Sequence, residues 1–154
     1  MLSISRSDLG DEDVLALIAE LNAELAGRYP EEGANHFRLD PDEVAPGRGA
    51  LLVARLDGAP VGCGAVRLLD PETAEIKRMF TRAGARGGGV GRALLAALES
   101  EARALTARRL VLETGTRQQE ALGLYESHGF VRTPLYGEYV ESAATSICMQ
   151  KDLG

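Results

Sequence analysis

The sequence has few of the side chains that bind transition metals or form disulfides. Its 154 residues include only two cysteines and two histidines. Cys63 and Cys148 lie far apart in apolar stretches, and His36 and His128 show no ligand spacing either. A structural zinc site needs several such ligands at short intervals. We therefore expect no metal site and two buried, unpaired thiols.

Long apolar runs and basic clusters are also missing. No stretch approaches the roughly 20 apolar residues that a transmembrane helix needs, and residues 1–6 lack the pattern of a signal peptide. The net charge is −6 without a basic stripe, which argues against binding to nucleic acid. We expect a cytoplasmic protein that binds neither nucleic acid nor a membrane.

Hydrophobic periodicity predicts an α+β fold in a single domain over residues 1–154. Helical patterns cover residues 11–28, 89–106 and 118–127. The first helix is expected to bury the stripe Val14, Leu15, Ile18, Leu21 and Leu25. Strand patterns cover residues 2–4, 50–55, 61–69, 74–81, 109–114, 130–132 and 145–150. An early meander and a later β-α-β crossover must bring strands 74–81 and 109–114 parallel and close together.

A glycine-rich turn separates the strand 74–81 from the long helix that follows. Its residues are Arg86, Gly87, Gly88, Gly89, Val90, Gly91 and Arg92. Without side chains, backbone N–H groups can approach a ligand closely. The start of the next helix adds unpaired donors and a partial positive charge. This combination predicts a binding site for phosphate groups.

Two common phosphate-binding patterns do not fit this turn. A Walker loop requires a Lys-Ser/Thr pair after its last glycine, whereas Gly89 is followed by Val90 and Gly91. A dinucleotide fingerprint requires G-x-G-x-x-G, but Arg92 and Leu94 occupy the two positions available to its third glycine. Nucleotide hydrolysis and hydride transfer are therefore disfavoured.

Three segments resemble the GNAT superfamily of acetyl-CoA-dependent N-acetyltransferases. Residues 86–91 match the family signature Q/R-x-x-G-x-G/A, and residues 75–81 are similar to the central strand before it. Residues 121–130 match the segment A-x-x-L-Y-x-x-x-G-F. The resemblance covers about residues 50–153. It implies a mixed, mostly antiparallel sheet of about seven strands and about four helices, with a splayed parallel pair holding acyl-CoA.

The resemblance also implies which residues bind acetyl-CoA. The turn that begins at Arg86 would hold the pyrophosphate through the N–H groups of residues 87–92. The main chain of Met79, Phe80 and Thr81 would pair with the pantetheine arm, like an added strand. Gln118 stands where the family often has an asparagine that contacts the cofactor.

Acetyl transfer to an amine requires a general acid and a general base. Tyr125 matches the general acid of the family, which protonates the CoA thiolate. Two residues match positions that carry the base in different relatives: Glu113 at the end of strand 109–114, and Glu75 in the central strand. A water relay without a single base is the third alternative.

Other expectations concern the acceptor side. Lys77 and Arg78 are adjacent in a strand and should face opposite sides. The irregular segment 29–49 is a candidate substrate loop. Aromatic residues of segment 134–139 are expected at the acceptor mouth, opposite His36 and Arg38.

The sequence is thus predicted to encode an N-acetyltransferase that acts on an amine of a small molecule or peptide. A non-catalytic acetyl-CoA-binding sensor is the main alternative, and it would not need Tyr125 together with a strand-end glutamate. A phosphate-binding regulator of the nucleotide type is weakened by the absent Lys-Ser/Thr pair. Homodimers are common in the family.

Overall fold

A seven-stranded mixed sheet forms the centre of the structure, a computed structural model that describes residues 1–30 and 39–154. Its strands are β1 (Leu2–Ser7), β2 (Gly49–Leu56), β3 (Ala59–Asp70), β4 (Thr73–Thr81), β5 (Arg109–Gly115), β6 (Val131–Thr133) and β7 (Ser146–Asp152). Three α-helices flank it: α1 (Glu12–Arg28), α2 (Val90–Ala104) and α3 (Gln119–Ser127). Short 3-10 turns occupy Pro41–Val44, Ala83–Ala85 and Gly137–Tyr139.

The strand order is β1-β2-β3-β4-β5-β7-β6, and only β4 and β5 run parallel. The predicted α+β class, the seven strands and the parallel pair are confirmed. Within the described residues there are three α-helices, one fewer than the family resemblance implied. The remaining helical segments are single 3-10 turns, which are too short to cover a sheet face.

Two apolar clusters cover the two faces of the sheet. One contains residues of α2 and α3, and the other contains residues of α1. The α1 helix begins at Asp11, whose side chain accepts a hydrogen bond from the backbone N–H of Asp13, as N-cap residues do. It buries Val14, Leu17 and Leu21. The predicted inclusion of Leu15 is wrong, because that side chain is 53% exposed.

A β-bulge interrupts the pairing of β3 with β4. Cys63 pairs with Phe80 and Ala65 with Lys77, so that two β4 residues oppose the single residue Gly64. Arg78, inside the bulge, has a φ of 57°, which costs a non-glycine residue about 1 kcal/mol or more. The bulge bends the strand and changes which way its side chains point.

Because of this bulge, the expectation that Lys77 and Arg78 face opposite sides is wrong. Lys77 pairs with Ala65, whose side chain packs in the α1 cluster. The guanidinium of Arg78 donates a hydrogen bond to Asn22 of α1. Both basic side chains therefore lie on the α1 face of the sheet. An inserted residue in a strand interrupts the alternation of side chains between the two faces of the sheet.

The parallel strands β4 and β5 separate just before the bulge. Their last pairs are Glu75 with Val111 and Ile76 with Leu112. Beyond Ile76, β4 continues through the bulge to Thr81. The two strands therefore enclose a gap on the carboxyl side of the sheet, with α2 and α3 beside it.

The two thiols are buried, as predicted: Cys63 is 0% and Cys148 1% exposed. Burial raises the pKa of Cys63 to about 12, so this thiol is not a reactive nucleophile at neutral pH. In residues 1–30 and 39–154, no helix has the length and hydropathy needed to cross a membrane.

Candidate active site

Two cavities adjoin the gap between β4 and β5. The larger has a volume of about 590 Å³ and lies between the end of β4, the glycine-rich turn and α3. The smaller has a volume of about 80 Å³ and lies on the α1 face. Four residues line both cavities: Leu21, Met79, Gln118 and Tyr125. The two spaces therefore meet at the gap.

The glycine-rich turn forms one end of the larger cavity. Gly87 and Gly89 have φ values of 86° and 85°, a region that glycine adopts without steric cost. Gly89 is the N-cap of α2, and no side chain caps the helix. The first N–H groups of α2 are thus available to an anion, and the helix dipole favours negative charge there.

Most of the predicted cofactor-binding residues line this cavity. They are Met79, Phe80, Thr81, Arg86, Gly87, Gly89, Val90, Gly91, Arg92 and Gln118. Gly88 is exposed and does not line it. Leu21, Glu24 and Arg28 of α1 also line the cavity. These residues were not predicted, because the sequence of an amphipathic helix does not indicate which site the helix will border.

Two of the predicted cofactor-binding side chains make hydrogen bonds within the protein. Arg86 donates from Nε to the carbonyl of Thr81 (2.9 Å) and from Nη2 to Glu24 (2.7 Å). The Oε1 atom of Gln118 accepts from the backbone N–H of Gly115 (2.9 Å). These contacts tie the turn to α1 and the start of α3 to the end of β5.

Tyr125 stands where the two cavities meet. It lies on α3, is 5% exposed, and packs edge-to-face against Phe130 with ring centroids 5.9 Å apart. Burial raises its pKa, and the negative charge of Glu113 raises it further. The phenol therefore keeps its proton throughout the neutral range.

The two predicted base candidates have different surroundings. Glu113 lines the smaller cavity, and Ser146 Oγ donates a hydrogen bond to its Oε2 (2.6 Å). Glu75 is 1% exposed and lines neither cavity. Its Oε1 accepts two hydrogen bonds from Arg67 (2.9 and 2.8 Å), and its Oε2 accepts one from Tyr136.

The aromatic residues of segment 134–139, expected at the acceptor mouth, have different surroundings. Tyr139 lines the smaller cavity, and burial raises its pKa. Tyr136 instead bonds to Glu75, with its ring edge-to-face against Tyr139 at 5.3 Å. His36 and Arg38, which were expected opposite this segment, lie outside the described residues.

The segment 29–49 is described only at its two ends. At one end Tyr29 is buried, and its hydroxyl accepts a hydrogen bond from the N–H of Arg117 (2.7 Å). At the other end Glu43 forms an ion pair with Arg67. Arg67 was not predicted as part of the site, because its partners come from segments far away in the sequence.

A mixed sheet that opens between two parallel strands, with a phosphate-type turn on one side and a small cavity lined by charged side chains of both signs on the other, is typical of a group-transfer enzyme with a phosphate-bearing donor. The sequence pattern of the "Acetyltransferase (GNAT) family" matches residues 14–130. The chain belongs to the GNAT acetyltransferase family and is an acetyl-CoA-dependent N-acetyltransferase. The predicted family is confirmed.

Relatives and solved structures agree over the whole chain. An IAA acetyltransferase from Azospirillum brasilense is 40% identical over 99% of this chain and 98% of its own. A crystal structure assigned as an acyl-CoA N-acyltransferase from Klebsiella pneumoniae is 32% identical, covers 100% and 99% of the two chains, and superposes with a TM-score of 0.83. A GNAT family acetyltransferase from Elizabethkingia anophelis, solved with acetyl-CoA bound, shares the fold at 20% identity over 99% and 98% of the chains, with a TM-score of 0.68.

Proposed function

We propose that this enzyme transfers the acetyl group of acetyl-CoA directly to a primary amine of a small molecule or peptide. Acetyl-CoA would occupy the larger cavity, and the amine would occupy the smaller one. The observation that carries this proposal is the position of Tyr125, which lines both cavities at the gap between β4 and β5. Direct transfer requires both reactants to meet within about 3–3.5 Å, and this gap is where the two cavities join.

The larger cavity fits acetyl-CoA in size and in its polar groups. Its volume of about 590 Å³ lies within the usual range of about 300–1,000 Å³ for ligand sites. The left-handed glycines and the uncapped α2 helix support a pyrophosphate site. Past Ile76, β4 has no pairing with β5 in the described chain, which supports main-chain pairing of residues 79–81 with the pantetheine arm. Once bound, acetyl-CoA supplies an electrophilic thioester and a thiolate leaving group.

Tyr125 is the proposed general acid. Its raised pKa keeps the phenol protonated, so that a proton is available when charge develops on the sulfur. Its packing against Phe130 holds the ring in one position. The same environment would make an ionised phenol costly, so that the phenolate would take up a new proton from water after CoA leaves as its thiol.

Glu113 is the proposed general base, and Glu75 is proposed to be structural. Glu113 lines the cavity where the amine would lie, within reach of its proton. Both oxygens of Glu75 are already occupied, by Arg67 and by Tyr136, and its side chain is sealed from both cavities. These contacts support Glu75 as the anion that holds Arg67 and Tyr136 in place. A water molecule between Glu113 and the amine would serve the same base chemistry.

Acetyl-CoA binding is tested by thermal shift with acetyl-CoA, ATP and NAD in parallel. We expect stabilisation by acetyl-CoA and CoA alone. Equal stabilisation by ATP, or none by CoA species, would overturn the assignment of the larger cavity.

Acceptor use is tested by release of free thiol from acetyl-CoA with a panel of amines. Indole-3-acetic acid (IAA), which has no primary amine, is assayed beside the panel, because the relative from Azospirillum brasilense is named an IAA acetyltransferase. We expect thiol release with one class of amine and none without an acceptor. Thiol release that does not depend on any acceptor would contradict direct transfer to an amine.

A further inference from the structure

Lys77 carries a buried ammonium group whose ion-pair partner among the described residues, Glu138, lies beyond normal hydrogen-bond length. Its side chain is 4% exposed, and its Nζ atom has no hydrogen-bond partner among the residues that the structure describes. Glu138 Oε2 lies 3.5 Å away and is also 3.8 Å from Arg67. A charged hydrogen bond between nitrogen and a carboxylate is normally about 2.7–2.9 Å long. Glu138 thus offsets the charge but leaves the N–H donors of Lys77 unfilled.

The other two cations on this face already have close hydrogen-bond partners. Arg67 holds Glu75 and Glu43, and Arg78 bonds to Asn22 of α1. Buried polar groups in native proteins almost always have a partner, and leaving one without a partner costs stability. An unfilled ammonium in a cavity wall therefore indicates a ligand that supplies the missing acceptor atoms.

The strand register places Lys77 directly across the gap from Glu113. The last β4–β5 pairs are Glu75 with Val111 and Ile76 with Leu112, so Lys77 and Glu113 are the next positions on the two strands. Glu75 and Lys77 face the same side of the sheet, and so does Val111, which pairs with Glu75. Glu113 lies two residues after Val111 on β5 and therefore shares that face. Both side chains line the smaller cavity. An ammonium and a carboxylate thus border one small space, which Arg78, already bonded to Asn22, also lines.

We infer that the acceptor is a small molecule with a carboxylate beside its amine, of the α-amino-acid type, whose carboxylate is bound by Lys77 while its amine lies at Glu113. This inference rests on the proposed function. The two charges of such a zwitterion complement the two charged walls. A cavity of about 80 Å³ holds only a few non-hydrogen atoms, which suits the charged end of an amino acid and no more.

The test compares amino acids with the amines that remain after loss of their carboxylate. The pairs are leucine with isopentylamine, phenylalanine with phenethylamine, and methionine with 3-methylthiopropylamine, each assayed for thiol release from acetyl-CoA. We expect the wild-type kcat/KM to be at least about tenfold higher for an amino acid than for its paired amine, since a hydrogen bond to a charged group contributes that much. In Lys77→Met this ratio should fall to about one, with the loss in the KM of the amino acid.

Lys151→Met is the matched control. Lys151 is the other lysine of the chain, and its Nζ pairs with Glu99 at 2.6 Å, away from both cavities. The ratio should be unchanged in this variant and partly retained in Lys77→Arg. Stabilisation by acetyl-CoA in a thermal shift shows that each variant is folded.

Three results would overturn the inference. In the first, the wild type uses the paired amines as well as the amino acids; in the second, Lys77→Met keeps the preference. In the third, Lys77→Met loses kcat equally on every acceptor, which would make Lys77 part of the chemistry. Failure of the proposed function is distinguishable, because it would appear as absence of thiol release from the wild type with any amine.

Discussion

The two cavities that meet at Tyr125 share residues of α1, β4 and α3, but each also has a wall of its own. The wall particular to the larger one comes from one short segment, residues 85–92, whose backbone geometry and helix start form the proposed anion site. The wall of the smaller one consists of side chains from α1, β4, β5, α3 and the turn Gly137–Tyr139. One site uses main-chain groups that are the same in any sequence, and the other uses side chains that differ from protein to protein.

This difference explains why the donor side is general and the acceptor side is particular. A backbone cradle needs only glycines at the right positions, so its function follows from a short motif. The proposed specificity for the acceptor would depend on placed charges such as Lys77 and Glu113, whose effect depends on what else surrounds them. Variants in the larger cavity should therefore change the affinity for acetyl-CoA, and variants in the smaller cavity should change the kinetics with the acceptor.

The largest expected effect is on the donor side. Gly89→Asp adds a carboxylate at the start of α2, where the proposed pyrophosphate lies. Two like charges about 4 Å apart near a protein surface repel by roughly 4 kcal/mol, or about a thousandfold in affinity. We expect that loss in acetyl-CoA binding, measured by calorimetry. Gly58→Asp is the matched control, since Gly58 has a φ of 88° and open space around it in the β2–β3 turn. Unchanged affinity in Gly89→Asp would refute the placement.

A smaller effect is expected at the junction of the cavities. Tyr125→Phe removes the phenolic proton but keeps the ring against Phe130. General acid catalysis contributes about 10²–10⁴-fold, so we expect kcat to fall by about 100-fold with little change in the acetyl-CoA dissociation constant. Steady-state kinetics and direct binding measure the two quantities. If kcat stays at the wild-type value, Tyr125 has a packing role only.

Variants of the two glutamates, Glu113 and Glu75, should differ in their effects. Glu113→Gln removes the proposed base and should lower kcat/KM by about 100-fold, the lower end of the range for general acid–base catalysis. Glu75→Gln should instead lower the free energy of unfolding by about 1–3 kcal/mol, because Arg67 loses its buried carboxylate partner. Denaturant titration and kinetics on both variants distinguish the roles. A large loss of kcat in a fully stable Glu75→Gln protein would reverse the assignment.

The smallest effect concerns the stability cost of Lys77. Burial lowers the pKa of Lys77 from its ordinary value near 10.5, so below the lowered pKa the charged side chain is held at a cost to the native state. Lys77→Met keeps the shape and removes the charge. We expect a gain of about 1 kcal/mol in unfolding free energy at neutral pH, or a few degrees in Tm.

The pH dependence of this gain has a defined sign. As pH rises through the lowered native pKa, the native state loses its proton first, so the unfolded state binds more protons and the wild type gains stability. The advantage of Lys77→Met should therefore shrink toward pH 10.5. Lys151→Met, which loses only a partly exposed ion pair, should show no such gain. An advantage of Lys77→Met that grows with pH would contradict the account.

Much of the fold, and the lining of the larger cavity, was predictable because it depends on local patterns. The glycines at 87 and 89 and the apolar stripe of α2 act through their own backbone and their own periodicity. The parallel pairing of β4 with β5 follows from the crossover rule. One error lay in the choice of stripe: Leu17 rather than Leu15 is buried, because Leu17 stands three residues after Val14 and four before Leu21, as the helical period requires.

The sequence by itself therefore determined the family, the sheet with its parallel pair, and the turn at the start of α2, because each depends on neighbours within a few residues or on chain connectivity. Only the tertiary structure decided the acceptor side. The bulge at Arg78 turns two adjacent basic residues to one face. Partners from distant segments occupy Glu75 and leave Lys77 unfilled beside Glu113. A buried charge takes its role from the groups packed around it, and those groups are assembled only when the chain has folded.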